Sequence, residues 1–87
     1  MPTKYEPLEI HLRATPRNVH ELTLSFSDIA RILRVSLPES AIQHRAWWGN
    51  QKDSKSRPQA HAWLSAGFLV DTVNQGRSSG WVRFKRQ

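Results

Sequence analysis

Cysteine is absent from this 87-residue chain, which excludes disulfides, a thiol nucleophile and cysteine-ligated zinc, and fits a reducing compartment. No run approaches the roughly 18 apolar residues of a membrane span, and the opening Met1-Pro2-Thr3-Lys4-Tyr5-Glu6 lacks the apolar core of a signal peptide. Both absences point to a soluble, cytoplasmic protein away from membranes. Acidic residues are scarce in the second half. Residues 44–87 hold Arg45, Lys52, Lys55, Arg57, Arg77, Arg83, Lys85 and Arg86 against only Asp53 and Asp71. The first 43 residues are balanced, with Lys4, Arg13, Arg17, Arg31 and Arg34 against Glu6, Glu9, Glu21, Asp28 and Glu39. The net charge of +6 therefore comes entirely from the second half, as expected of a surface that meets a polyanion.

Catalytic signatures are also missing. His11, His20, His44 and His61 are scattered without metal or triad spacing, and no paired carboxylates suit a metal-dependent nuclease. Gly76 and Gly80 make no phosphate loop, because no helix follows them. The expectation is a non-enzyme with no metal and no cofactor.

What the chain does have is enough for one domain over residues 1–87: 38% hydrophobic residues, with four Trp, three Phe and one Tyr. Tyr5, Leu8 and Leu12 predict a short helix that ends before Thr15-Pro16. Leu22, Leu24 and Phe26 alternate with polar residues and predict a strand. Ser27 reads as the cap of a helix buried through Ile29, Ile32 and Leu33. After Val35 alone, Ser36-x-x-Glu39 reads as a capping box that starts a second helix near Leu37 and carries it towards Asn50. Leu37, Ala41, His44 and Trp48 would then face inward, with Trp47 partly out.

Asn50 to Arg57 is a polar loop, and Ser56-x-x-Gln59 predicts another capped helix with Ala60, Trp63 and Leu64 inside, closed by Gly67. Residues 68–73 predict a strand, residues 74–80 a turn, and Trp81-Val82-Arg83-Phe84-Lys85 a strand with Val82 and Phe84 inward. The expected class is α+β, in the order α-β-α-α-α-β-β with a small antiparallel sheet. That order is the order of a winged helix-turn-helix, except that the loop at 50–57 divides the helical region after the turn.

The residues His44-Arg45-Ala46-Trp47-Trp48-Gly49-Asn50, with Lys4-Tyr5-Glu6-Pro7-Leu8 before and Ala62-Trp63-Leu64-Ser65-Ala66-Gly67-Phe68 after, resemble an uncharacterised family of small bacterial domains sharing an H-R-A-W-W-x-N signature. The resemblance implies a bacterial, phage or plasmid setting and a compact α+β domain, and brings no activity with it.

From the residues themselves, the expected function is non-catalytic binding of double-stranded DNA in a regulatory or defence role. Arg45, Lys52, Lys55, Arg57, Arg77, Arg83 and Lys85 are the candidate phosphate contacts, and Gln43, Asn50, Gln51 and Gln59 the candidate readers of base edges. The alternative is a protein-interaction module that docks on a nucleic-acid-handling or defence enzyme, since paired tryptophans beside arginine also suit a protein interface. A homodimer and a protein partner both stay open.

Overall fold

The computed structural model describes residues 4–51, 58–76 and 79–87. Four α-helices, α1 (Glu6–Arg13), α2 (Phe26–Leu33), α3 (Glu39–Gln43) and α4 (Pro58–Ser65), accompany three strands, β1 (Glu21–Ser25), β2 (Phe68–Asn74) and β3 (Trp81–Arg86), and a 3-10 turn at Arg45–Trp48. The sheet is antiparallel in the order β1-β3-β2. Its inner face, built from Leu24, Phe68, Val70, Val82 and Phe84, joins the helices in one hydrophobic cluster with Leu8, Leu12, Ile29, Trp48 and Trp63. The architecture is thus a small α+β domain, with α1 buried through Tyr5, Leu8 and Leu12 as the spacing predicts.

The boundaries around α2 and α3 differ from expectation. The cap of α2 is Ser25 rather than Ser27: Ser25 Oγ accepts from the Asp28 N–H at 2.9 Å while the Asp28 carboxylate accepts from the Ser25 N–H at 3.1 Å. The helix therefore starts at Phe26, directly from the strand. These hydrogen bonds from Ser25, backbone first and then side chain, hold the Asp28 carboxyl below its ordinary pKa, with Arg31 contributing less. Asp71 is lowered likewise by Thr72 and Arg83. A carboxylate with a depressed folded pKa stabilises the fold above its unfolded value of about 3.9 and loses that contribution as pH falls through the folded value. The melting temperature should fall below about pH 4, and the acid limb should be shallower in Asp28→Asn; an unchanged limb in circular dichroism melts would show the cap to be irrelevant to acid sensitivity.

The expected Ser36–Glu39 capping box does not form. Leu37 precedes a proline, whose ring disfavours helical geometry in its neighbour, and Pro38 itself has ψ 155°, so α3 begins only at Glu39. Arg34 closes α2 in the left-handed region at φ 63°, and the connection to α3 is longer than Val35 alone. The helix does not continue to Asn50. His44 is extended at φ −120°, ψ 115°, and the 3-10 turn follows it. His44 is consequently exposed, against the expectation of an inward histidine, while the turn brings Trp48 to full burial and leaves Trp47 half-buried.

Downstream, α4, β2 and β3 form as expected, and Gly67 ends α4 at φ 88°. Gln59 of the predicted Ser56–Gln59 cap points into the protein, whereas Ser56 lies outside the described residues. Gly80 is held where it is by space. A Cβ there would overlap the Phe26 ring and the Gly76 carbonyl, and the Gly80 carbonyl accepts from the Phe26 N–H at 2.9 Å.

Candidate functional site

The second half of the chain places its basic excess on three segments: the corner where α3 meets the 3-10 turn, the segment between that turn and α4, and the β2–β3 hairpin. Hydrogen bonds tie their bases together. The Ala41 carbonyl of α3 accepts from the indole Nε1 of Trp48 at 2.8 Å and from the side-chain amide of Gln75, at the hairpin base, at 3.1 Å. Both lone pairs of one oxygen are thereby used. The Gln59 amide donates to the Trp47 carbonyl at 3.1 Å, joining the start of α4 to the 3-10 turn. Asn50 completes the frame. Its Oδ1 accepts from the Val70 N–H at 2.8 Å and from Trp63 Nε1 at 3.0 Å, and its Nδ2 donates to the Val70 carbonyl at 3.0 Å.

This geometry sorts the expected contact residues. Gln43 and Arg45 are exposed at the corner, Gln43 bonded to Glu39 at 3.0 Å. Gln51 is exposed at the start of the basic segment. Asn50 is exposed as a residue, yet all three of its side-chain bonds above serve the fold, and Gln59 is only 5% exposed. Their amides hold the frame rather than face a ligand. Lys52, Lys55, Arg57 and Arg77 lie outside the described residues. Arg83 and Lys85 lie together on the outer face of the sheet. Arg83 donates to Asp71 through Nε at 2.9 Å and to the Thr72 hydroxyl at 2.9 Å, while Lys85 is exposed between Glu21 and Leu69 in register. Arg86, the remaining basic residue, is a staple: it donates to the carbonyls of Val19 and Pro16 and lies over the Phe68 ring at 4.6 Å.

Two participants were not visible in the sequence. Gln75 links the hairpin to α3 across 34 positions, and nothing local marks a glutamine in a turn for that task. His44, expected inside, stands exposed beside Arg45. The other histidines, His11, His20 and His61, are exposed as well, and no group of His, Asp and Glu side chains among the described residues is placed to hold a metal ion. No helix among them is long and apolar enough to cross a membrane.

Behind the corner, aromatic rings pass the contact inward. Tyr5 meets Trp47 edge-on at 5.8 Å, Trp47 meets Trp48 at 4.6 Å, and Trp48 stacks on both Phe26 and Trp63. The residues that resembled a family signature are thus the frame itself: Trp47 and Trp48 in the turn, Asn50 on the β2 edge. A family model described as a domain of unknown function, DUF7662, matches residues 5–86. The chain belongs to that family. No curated protein and no solved structure matches it. The matched span runs from Tyr5, which packs on Trp47, to Arg86, which staples β3 to the turn after α1, and so includes every hydrogen bond of the frame.

Proposed function

We propose that this DUF7662 domain is a winged-helix-like module that binds double-stranded DNA without catalysis, in a regulatory or defence role. The corner Gln43-His44-Arg45, the segment Gln51–Arg57 and the hairpin tip with Arg77 form its contact surface. The observation that carries this reading is the frame: Ala41, Asn50 and Gln59 fasten together the bases of the three segments that bear the unbalanced positive charge. Fixed bases matter, because less ordering cost then remains for binding. α4 suits a buried role better than that of a groove-reading helix. It carries no Lys or Arg, and Gln59, Ala60, Ala62 and Trp63 are all buried. The short α3 and its extended exit at His44 offer the exposed polar end instead. Arg83 is already paired with Asp71, so the outer sheet face is the weaker part of the surface.

Counterion release makes such binding fall steeply with salt. In gel shifts the purified domain should retain duplex DNA at about 50 mM salt and release most of it by about 200 mM. The triple reversal Lys52→Glu/Lys55→Glu/Arg57→Glu should weaken binding by roughly a hundredfold or more, with an unchanged circular dichroism spectrum. Failure to bind any duplex, single strand or RNA at the low salt end would falsify the reading and favour docking on a protein.

A further inference from the structure

The two edges of the sheet are not alike. On β2, the Asn50 side chain occupies both the N–H and the carbonyl of Val70, and the register shifts between Val70 and Thr72, so this edge is covered and kinked. β1 is unprotected at Glu21 and Thr23 among the described residues, with only its Ser25 end covered, by Asp28. Its pairing with β3 is bounded by the Arg86 N–H to the His20 carbonyl at 2.8 Å and the Phe26 N–H to the Gly80 carbonyl at 2.9 Å. Bonded and non-bonded pairs alternate in an antiparallel ladder, so the even-numbered residues 22 and 24 bond to β3 and the odd-numbered ones turn their backbone groups to the open edge. The Ser25 N–H agrees with this: it points away from β3 and meets the Asp28 carboxylate. Glu21 and Thr23 keep their N–H and carbonyl groups on the open side.

Beneath that edge lie two adjoining grooves that share His11 as a wall. One, of about 350 Å³, is lined by Leu24, Ile32, Asp28 and Arg31; the other, of about 320 Å³, by Leu22, Val19, Ala14 and Pro16. Their floors are two residues apart on one face of β1, the spacing of side chains on an added strand.

We infer that a second copy of this chain fills this edge, pairing β1 antiparallel with β1 about Thr23 to give a continuous six-stranded sheet. The sequence Glu21-Leu22-Thr23-Leu24-Ser25 is suited to pairing with itself. Thr23 meets Thr23, with two N–H to carbonyl bonds. Leu22 of one copy lies opposite Leu24 of the other, over its groove. Glu21 lies opposite Ser25, so the two Glu21 side chains stay apart. A chain of net charge +6 repels its copies generally, but β1 carries no basic residue. The dyad also sets the symmetry of any ligand-binding surface, since a two-fold pair presents two copies of the corner.

A five-residue strand pair buries little surface, so the dimer should be weak, with a dissociation constant of roughly 10–500 μM. Sedimentation of the whole chain across that range should move from the 10.1 kDa monomer to twice that mass. Hydrogen exchange read residue by residue should show the Thr23 amide becoming protected as concentration rises, because a monomer gives that amide no partner within the sheet. Thr23→Pro removes only an N–H that faces outward, at an edge position proline tolerates, and should leave a folded monomer. A monomer at every concentration overturns the inference and leaves the edge to a strand of another protein. So does a folded Thr23→Pro variant that still dimerises, or a wild-type dimer whose Thr23 amide exchanges freely. If Thr23→Pro does not fold, amide exchange in the wild type decides alone.

Discussion

Trp48→Ala is expected to remove a large share of the domain's stability. Trp48 is fully buried and contacts three other rings, stacked on Phe26 at 5.6 Å and on Trp63 at 5.7 Å and meeting Trp47 edge-on. Its removal opens a cavity between α2, α4 and the 3-10 turn. Large aromatic deletions of this type cost about 3–5 kcal/mol. A domain of this length has roughly 4–13 kcal/mol of stability in total. The melting temperature should fall by roughly 15 °C or more. Trp48→Phe separates the two contributions, since it keeps a stacked ring but loses the indole donor to the Ala41 carbonyl, which still accepts from Gln75. Its cost should be distinctly smaller. Urea denaturation of both variants tests this, and equal midpoints for Trp48→Ala and wild type would remove Trp48 from the centre of the core.

Asn50→Ala is the second large effect, and it bears on function. By residue type and position Asn50 looked like a reader of base edges. Its three bonds to Trp63 Nε1 and to the Val70 backbone instead make it part of the fold. Alanine strands three polar groups, each costing about 1–3 kcal/mol if water cannot reach it. Because Asn50 sits on a sheet edge where water can reach part of the site, a total of about 2–4 kcal/mol is expected. Asn50→Asp should not rescue. A carboxylate can accept from Trp63 and from the Val70 N–H, but it presents a negative oxygen to the Val70 carbonyl. The decisive comparison sets chemical denaturation beside DNA retention at a temperature where the variant is still folded. Stability lost with retention kept assigns Asn50 to the frame, whereas stability kept with retention lost returns it to the contact surface.

The same contrast explains what was legible locally. Element types followed from periodicity: Leu8 and Leu12 on α1, Leu22 and Leu24 on β1, Val82 and Phe84 on β3, and Gly67 closing α4 all stand where their spacing put them. Boundaries failed where two local rules competed. Ser36 and Glu39 satisfied the capping pattern, but Pro38 between them denied Leu37 a helical backbone. Ser27 suited a cap by type, but Ser25, with Asp28 three residues on, formed it. The extended backbone of His44 and the sharp 3-10 turn after it have no local signal, so the predicted continuous helix and inward His44 did not survive, although Ala41 and Trp48 are buried as expected.

The sequence by itself determined an α+β chain of seven main elements, the identity of most core residues, and a positive charge confined to the second half, because periodicity and charge are properties of residues and their order. Only the tertiary structure decided which polar side chains bond across the fold. Asn50, Gln59 and Gln75 are chemically the same kind of amide as Gln43, and nothing in their neighbours along the chain tells them apart. Partners 12 to 34 positions away, in Trp47, Trp63, Val70 and Ala41, take up the first three, and the fold must form before those partners exist.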